Sequence, residues 1–123
     1  MEGISKIYYN GKTILYIDYS SIGDFKDNDK KIQLIQAVSG EYAKYPPKSV
    51  LALINVATLQ FDMAVLEAFK ASQAKTAPYK KKEAIIGMSG LQKVGYNFVS
   101  GLTNDTMKAF NTEREAKEWL TKD

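Results

Sequence analysis

The chain contains no cysteine and no histidine in 123 residues. That removes the commonest nucleophile–base pairs, the commonest neutral metal ligand and every disulfide. A Walker loop and a dinucleotide fingerprint are also missing. The chemistry left to this sequence is that of lysine, carboxylate, tyrosine and hydroxyl groups, and two stretches concentrate it. In Ser89-Gly90-Leu91-Gln92-Lys93, a serine and a glycine open a helical pattern and a lysine follows about one turn in. Free N–H groups at a helix start favour an anion, Gly90 permits close approach, and Lys93 adds charge. The ordinary alternative is a serine N-cap with a surface lysine. Thr58, Gln60 and Asp62 follow an apolar run. They are placed to line a pocket or present a docking surface, or simply to cap and polarise the next helix.

Three weaker signals stand beside these. Lys80-Lys81-Lys82 next to Tyr79 would suit phosphate, acidic headgroups or an acidic partner. A solvated sheet edge explains the run equally well. Eight tyrosines are many for this length; Tyr8, Tyr9, Tyr16, Tyr19, Tyr42 and Tyr45 would suit a partner surface, or are strand and core residues. Asp18, Asp24, Asp27 and Asp29 cluster, but without the alternation and terminal glutamate of a calcium loop. No metal and no cofactor is expected. A catalytic Lys93 or Asp62 would need a strongly perturbed pKa in a cleft, which nothing in the sequence marks. The chain is therefore read as non-enzymatic.

The elements that must position these residues are clear. Val50 to Ala57 is apolar everywhere except Asn55, which implies a central strand covered on both faces in a mostly parallel sheet. Its exit loop is where an open α/β sheet places a site. Upstream, Ile4–Tyr9 and Thr13–Tyr19 flank Asn10-Gly11, the signature of a type I′ hairpin. Ile14, Tyr16 and Asp18 are expected on one face, Leu15, Ile17 and Tyr19 on the other. Asn28 or Asp29 is expected to cap a first helix whose stripe is Ile32, Ile35, Val38, Tyr42 and Tyr45, with Pro46-Pro47 ending it and Gly40 allowing close approach to the sheet. A second helix is predicted from about Asp62 to Lys75, faced by Val65, Leu66 and Phe69. A strand follows at Ala84–Met88, then a third helix from Ser89 with Leu91, Val94, Phe98 and Leu102. A short strand at Met107–Phe110 precedes a last helix at Thr112–Leu120. Thr112 and Glu115 form a capping box there.

One α/β domain over residues 1–123, in the order ββαβαβαβα, is the result. Net charge is +3 with pI near 9.0, too mild for a nucleic-acid binder. No run is long enough to span a membrane and no signal h-region opens the chain, so a cytoplasmic protein is expected.

Three stretches resemble a known family. They are Val56 to Phe69, with Phe61-Asp62 then Val65-Leu66-Glu67-Ala68; Pro78-Tyr79-Lys80-Lys81 with Ile85-Ile86-Gly87-Met88-Ser89-Gly90-Leu91-Gln92-Lys93; and Met107 to Phe110 with Thr112 and Glu115-Ala116-Lys117-Glu118-Trp119-Leu120. They resemble the STAS-type domain of bacterial anti-sigma-factor antagonists, in the SpoIIAA-like or STAS/SEC14-like branch. The resemblance implies the mixed STAS sheet and a regulatory role. In the best-known members a partner kinase modifies a serine at the start of the second helix. Here Met63 and Ala64 stand at those positions after Asp62, so the phospho-switch does not carry over; Thr58 is the nearest hydroxyl.

The expected function is a STAS-like binding module. It takes a protein partner or a small anionic ligand at the loops after the third and fourth strands, through Thr58, Gln60, Asp62, Ser89, Gly90 and Lys93. The alternative is a carrier of lipid or another apolar small molecule. A homodimer through the first two helices is compatible with either.

Overall fold

The computed structural model of the protein describes residues 3–21, 28–57, 63–88 and 107–122. Its five strands are β1 (Ile4–Tyr9), β2 (Lys12–Asp18), β3 (Val50–Asn55), β4 (Lys80–Ile86) and β5 (Met107–Ala109). The helices are α1 (Asn28–Tyr42), α2 (Met63–Thr76) and α3 (Glu113–Thr121), with a 3-10 turn at Tyr19–Ser21. The helix expected from Ser89 falls outside the described residues.

β1 and β2 pair antiparallel around Asn10 and Gly11, whose φ values of 49° and 75° are those of a type I′ turn. The remaining pairs are parallel, and the sheet order is β1-β2-β3-β4-β5. Because the chain moves one strand over in the same direction each time, right-handed crossovers put α1 and α2 on one face, where they pack together. Ser39 and Ser72 meet between them at 2.8 Å. After β5 the chain turns back, and α3 covers the other face against β3 and β4.

β3 is buried on both sides, as its unbroken apolar run requires. Ala52 and Ile54 join Leu15, Ile17, Tyr19, Leu34, Ile35, Val38, Tyr42 and Val65 under α1 and α2. Leu51 and Leu53 join Ile14, Ala84, Ile86, Ala116 and Leu120 under α3. β2 divides its side chains between the two cores as its alternation predicts. At the start of α3, the Glu115 N–H donates to Thr112 Oγ1 at 3.2 Å. The Glu115 carboxylate returns to the Thr112 hydroxyl at 3.0 Å rather than to its backbone N–H, so one backbone donor is capped instead of two.

Four expectations are corrected. α1 ends at Tyr42, not at the prolines, because Lys44 and Tyr45 make i→i+3 turn bonds to Glu41 and Tyr42. Its buried stripe runs through Lys31 and Leu34 rather than Ile32. Gly40 faces open space and brings no element closer. β4 begins at Lys80, four residues early, so the lysine run lies within the strand rather than ahead of it; β3 pairs with it, while β5 reaches only Glu83 to Ile85.

Candidate functional site

The parallel strands end side by side. Asp18 is in register with Asn55, and Asn55 with Ile86. Each exit is turned by a local bond. The Asn55 Oδ1 accepts the Ala57 N–H at 3.0 Å, and its Nδ2 donates to the Tyr16 hydroxyl at 3.1 Å. This is an asparagine bonding the backbone two residues on, the usual device for leaving a strand. Asp18 does the same for Ser20, accepting its N–H at 2.9 Å and also its hydroxyl. The Val56 N–H donates to the Ile86 carbonyl at 3.0 Å.

Gly87 closes this rim. Its φ is +83°, and a Cβ there would lie 2.7 Å from the Ala57 nitrogen and 2.9 Å from Asn55 Oδ1. Only glycine fits both the backbone angle and the gap. The exits of β3 and β4 are thus locked together, and the segments starting at residues 58 and 89 leave the sheet from neighbouring points. The candidates Thr58, Gln60, Asp62, Ser89, Gly90 and Lys93 themselves lie outside the described residues. Lys31, only 4% exposed, sits in the first turn of α1 on the same face as Leu34 and Ile35. α1 runs back from the carboxyl end of β2, so this buried cation lies at the same end of the sheet. Its interruption of an apolar stripe was the only trace of it in the sequence. One expectation changes here. The strand order follows the chain without reversal, so no topological switch point marks this end as the site.

The opposite end holds a cluster that the lysine run concealed. β4 uses three residues, Lys80 to Lys82, where β3 uses two, Val50 and Leu51. The extra residue is a β-bulge that turns Lys80 onto the face of Glu83. Their side chains, each 2% exposed, form an ion pair at 3.2 Å. Lys80 also donates to Gln73 Oε1 at 2.5 Å, while Glu83 accepts from the Tyr42 hydroxyl at 2.5 Å and from Gln73 Nε2 at 3.4 Å. Burial, reinforced by the Glu83 carboxylate, holds the Tyr42 phenol well above its usual range; Tyr19 is pushed up by the same two causes. Among the described residues, no buried side-chain nitrogen or oxygen lacks a partner. This network is buried and ties α1, α2 and β4 together. Lys82, on the other face, donates to the Trp119 and Lys122 carbonyls at 2.9 and 2.8 Å and lies 5.1 Å over the Trp119 ring. It neutralises the carboxyl end of α3. Of the three lysines only Lys81 is exposed.

Of the clustered aspartates, Asp18 and Asp29 are described and Asp24 and Asp27 are not. Among the described residues no group of three acidic side chains is placed to hold a metal. No described helix is long and apolar enough to cross a membrane.

No family model matches the chain, and no curated protein does. Among solved structures it is similar to an uncharacterized protein of the DUF3478 family from Shewanella loihica PV-4, described as having a SpoIIAA-like fold. The TM-score is 0.68 over 95% of this chain and 91% of that one, at 18% sequence identity. The chain has a SpoIIAA-like fold. At that identity the likeness carries architecture and no residue roles. Within the SpoIIAA-like fold, the Ala57–Gly87 rim joins the exits of the two strands whose loops carry the candidate residues.

Proposed function

We propose that this protein is a non-enzymatic binding module that takes a protein partner or a small anionic ligand at the loops following β3 and β4. The observation that supports this reading is the Gly87–Ala57 contact. It makes two chain segments rich in polar side chains leave the sheet together, and a rigid rim under two adjacent loops is how a fold presents a recognition surface. In this reading Ser89 and Gly90 supply backbone and hydroxyl donors, Lys93 supplies charge, and Thr58, Gln60 and Asp62 supply the facing wall. Among the described residues, the buried pair Lys80 and Glu83 is held by its own ion pair and by Gln73 and Tyr42.

Native mass spectrometry of the protein purified from its own host tests this. The expected result is a bound small mass, or a stoichiometric protein partner, that is lost in Lys93→Glu while the circular dichroism spectrum is unchanged. A bare mass in both proteins, or an adduct indifferent to Lys93→Glu and Asp62→Asn, refutes the proposed site. A lipid mass would replace it with the carrier reading.

A further inference from the structure

β1 is the outer strand of the sheet, and its register says which of its backbone groups face outward. Tyr9 and Lys12 close a two-residue turn, so they form a hydrogen-bonded pair, and such pairs alternate along an antiparallel ladder. Ser5, Ile7 and Tyr9 therefore bond to β2. The Asp18 N–H donating to the Gly3 carbonyl at 2.7 Å continues that alternation. Ile4, Lys6 and Tyr8 turn their N–H and C=O groups away from the sheet, and no described residue meets them.

The side chains of these three residues share one face, with Ile17, Leu15 and Thr13 opposite them. The helix layer stops short of this face. Between Lys6 and Tyr45 lies a mostly apolar groove of about 250 Å³ floored by Leu15 and Val50. Tyr8 is 77% exposed, the most exposed large apolar side chain among those described. Lys6 lies 5.7 Å over the Tyr45 ring, and no described carboxylate forms an ion pair with it; nearby Glu41 is paired with Lys44 at 3.0 Å and attracts Lys6 only at longer range. A backbone edge that no described residue pairs, an exposed aromatic, an uncovered groove and a cation with no ion-pair partner among the described residues thus coincide on one strand.

Charge decides what fits. Antiparallel pairing with β1 of a second copy, overlapped so that all three outward residues pair, sets Lys6 directly opposite Lys6. Like charges directly opposite are destabilising, and an edge lysine is a usual guard against self-pairing. Sliding the second copy by two residues leaves only two outward residues paired.

We propose that the β1 edge binds an extended peptide segment of a partner protein as a sixth strand, with an acidic residue opposite Lys6 and apolar residues two positions to either side, against Ile4 and Tyr8. Main-chain bonds to Ile4, Lys6 and Tyr8 supply the affinity, and the alternate side chains supply the choice of partner. This surface is separate from the loops after β3 and β4, and the inference does not depend on them.

The test titrates the full chain, labelled with ¹⁵N, with two capped peptides, Val-Thr-Glu-Thr-Tyr and Val-Thr-Lys-Thr-Tyr. The expected result is shifts and slowed amide exchange at Ile4, Lys6 and Tyr8 with the glutamate peptide, and binding weaker by roughly tenfold with the lysine peptide. Lys6→Glu, an exposed substitution that leaves the fold intact, is expected to reverse the preference. Equal binding of both peptides, no shift at these amides at millimolar peptide, or a preference that Lys6→Glu does not reverse would overturn the proposal. Concentration-dependent protection of the same amides without peptide would also overturn it, in favour of a second copy.

Discussion

Replacing Lys80 by methionine should be among the most damaging single changes in this protein, although the sequence around it reads as a solvated lysine run. The ammonium and the Glu83 carboxylate are 3.2 Å apart and both are 2% exposed. At an effective dielectric of about 20 their attraction is about 5 kcal/mol, set against the desolvation of both ions. Lys80→Met removes the attraction but leaves the carboxylate buried, with only the Tyr42 hydroxyl and the Gln73 amide to stabilise it. The expected loss is about 3–5 kcal/mol, a large share of the roughly 5–15 kcal/mol of a typical domain. Glu83→Gln should cost a similar amount by stranding the ammonium.

The double variant Lys80→Met with Glu83→Gln should recover most of that loss. The introduced amide can accept from Tyr42 and donate to Gln73 Oε1, which Lys80 has released. Urea unfolding followed through Trp119, the only tryptophan, and through far-ultraviolet circular dichroism would measure the cycle. A coupling energy of at least about 4 kcal/mol is expected, with the double variant within about 1–2 kcal/mol of the parent. Single losses below about 1 kcal/mol that simply add would refute the reasoning, because that is how a water-exposed pair behaves.

Three further outcomes follow from named contacts. Gly87→Ala should cost about 1–3 kcal/mol and shift the amide resonances of Asn55 and Ala57, since its Cβ would lie 2.7 Å from the Ala57 nitrogen at a φ of +83°; an unchanged melting temperature would contradict this. Tyr19 and Tyr42 have phenol pKa values raised in the folded state, so the native protein holds protons that the unfolded chain releases above about pH 10. Their contribution is complete below that pH and is lost as pH rises through it, by about 1.4 kcal/mol per unit for each phenol; urea midpoints from pH 8 to 11.5 should be flat and then fall, and a fall already complete by pH 9 would be against it. Lys82→Met should cost about 1–2 kcal/mol and alter Trp119 fluorescence, because it removes both the ring contact and the donors to the last carbonyls of α3; unchanged emission would contradict it.

The parts of the fold legible in the sequence are those set by local rules. Asn10-Gly11 demanded positive φ at two successive residues, and the unbroken apolar run of β3 demanded cover on both faces. Thr112 with Glu115 marked the start of α3 to the residue. What escaped reading depends on partners far along the chain. Lys80 looks exposed because three lysines in a row look exposed. It is buried because a bulge turns it toward Glu83, and because Tyr42 and Gln73 arrive from two helices to satisfy the pair. Lys31 escaped because an interrupted apolar stripe does not by itself distinguish a lysine on a core face from one at its border. The candidate site was legible only as two polar loops. The structure adds what periodicity cannot express, namely that the exits of those loops are joined through one glycine.

The two ends of the sheet handle polarity in opposite ways, and that contrast separates stability from binding. At the amino end of β4, the side-chain polar groups of Lys80, Glu83, Gln73 and Tyr42 are bound to one another. A ligand could enter only by breaking a buried ion pair at a cost of several kcal/mol. At the carboxyl end, Asn55 and Asp18 are used to turn the chain outward, and the proposed function assigns recognition to the loops beyond them. Substitutions should therefore sort cleanly. On the proposed function, Lys93→Glu, Gln60→Ala and Asp62→Asn should change binding while moving the urea midpoint by no more than the equivalent of about 0.5 kcal/mol, the size expected if these side chains serve a ligand rather than the core. Glu83→Gln should move the midpoint strongly, and should weaken binding only as far as it lowers the folded fraction. If Glu83→Gln abolished binding at full occupancy of the folded state, the buried network would be part of the recognition surface and this division of roles would be wrong.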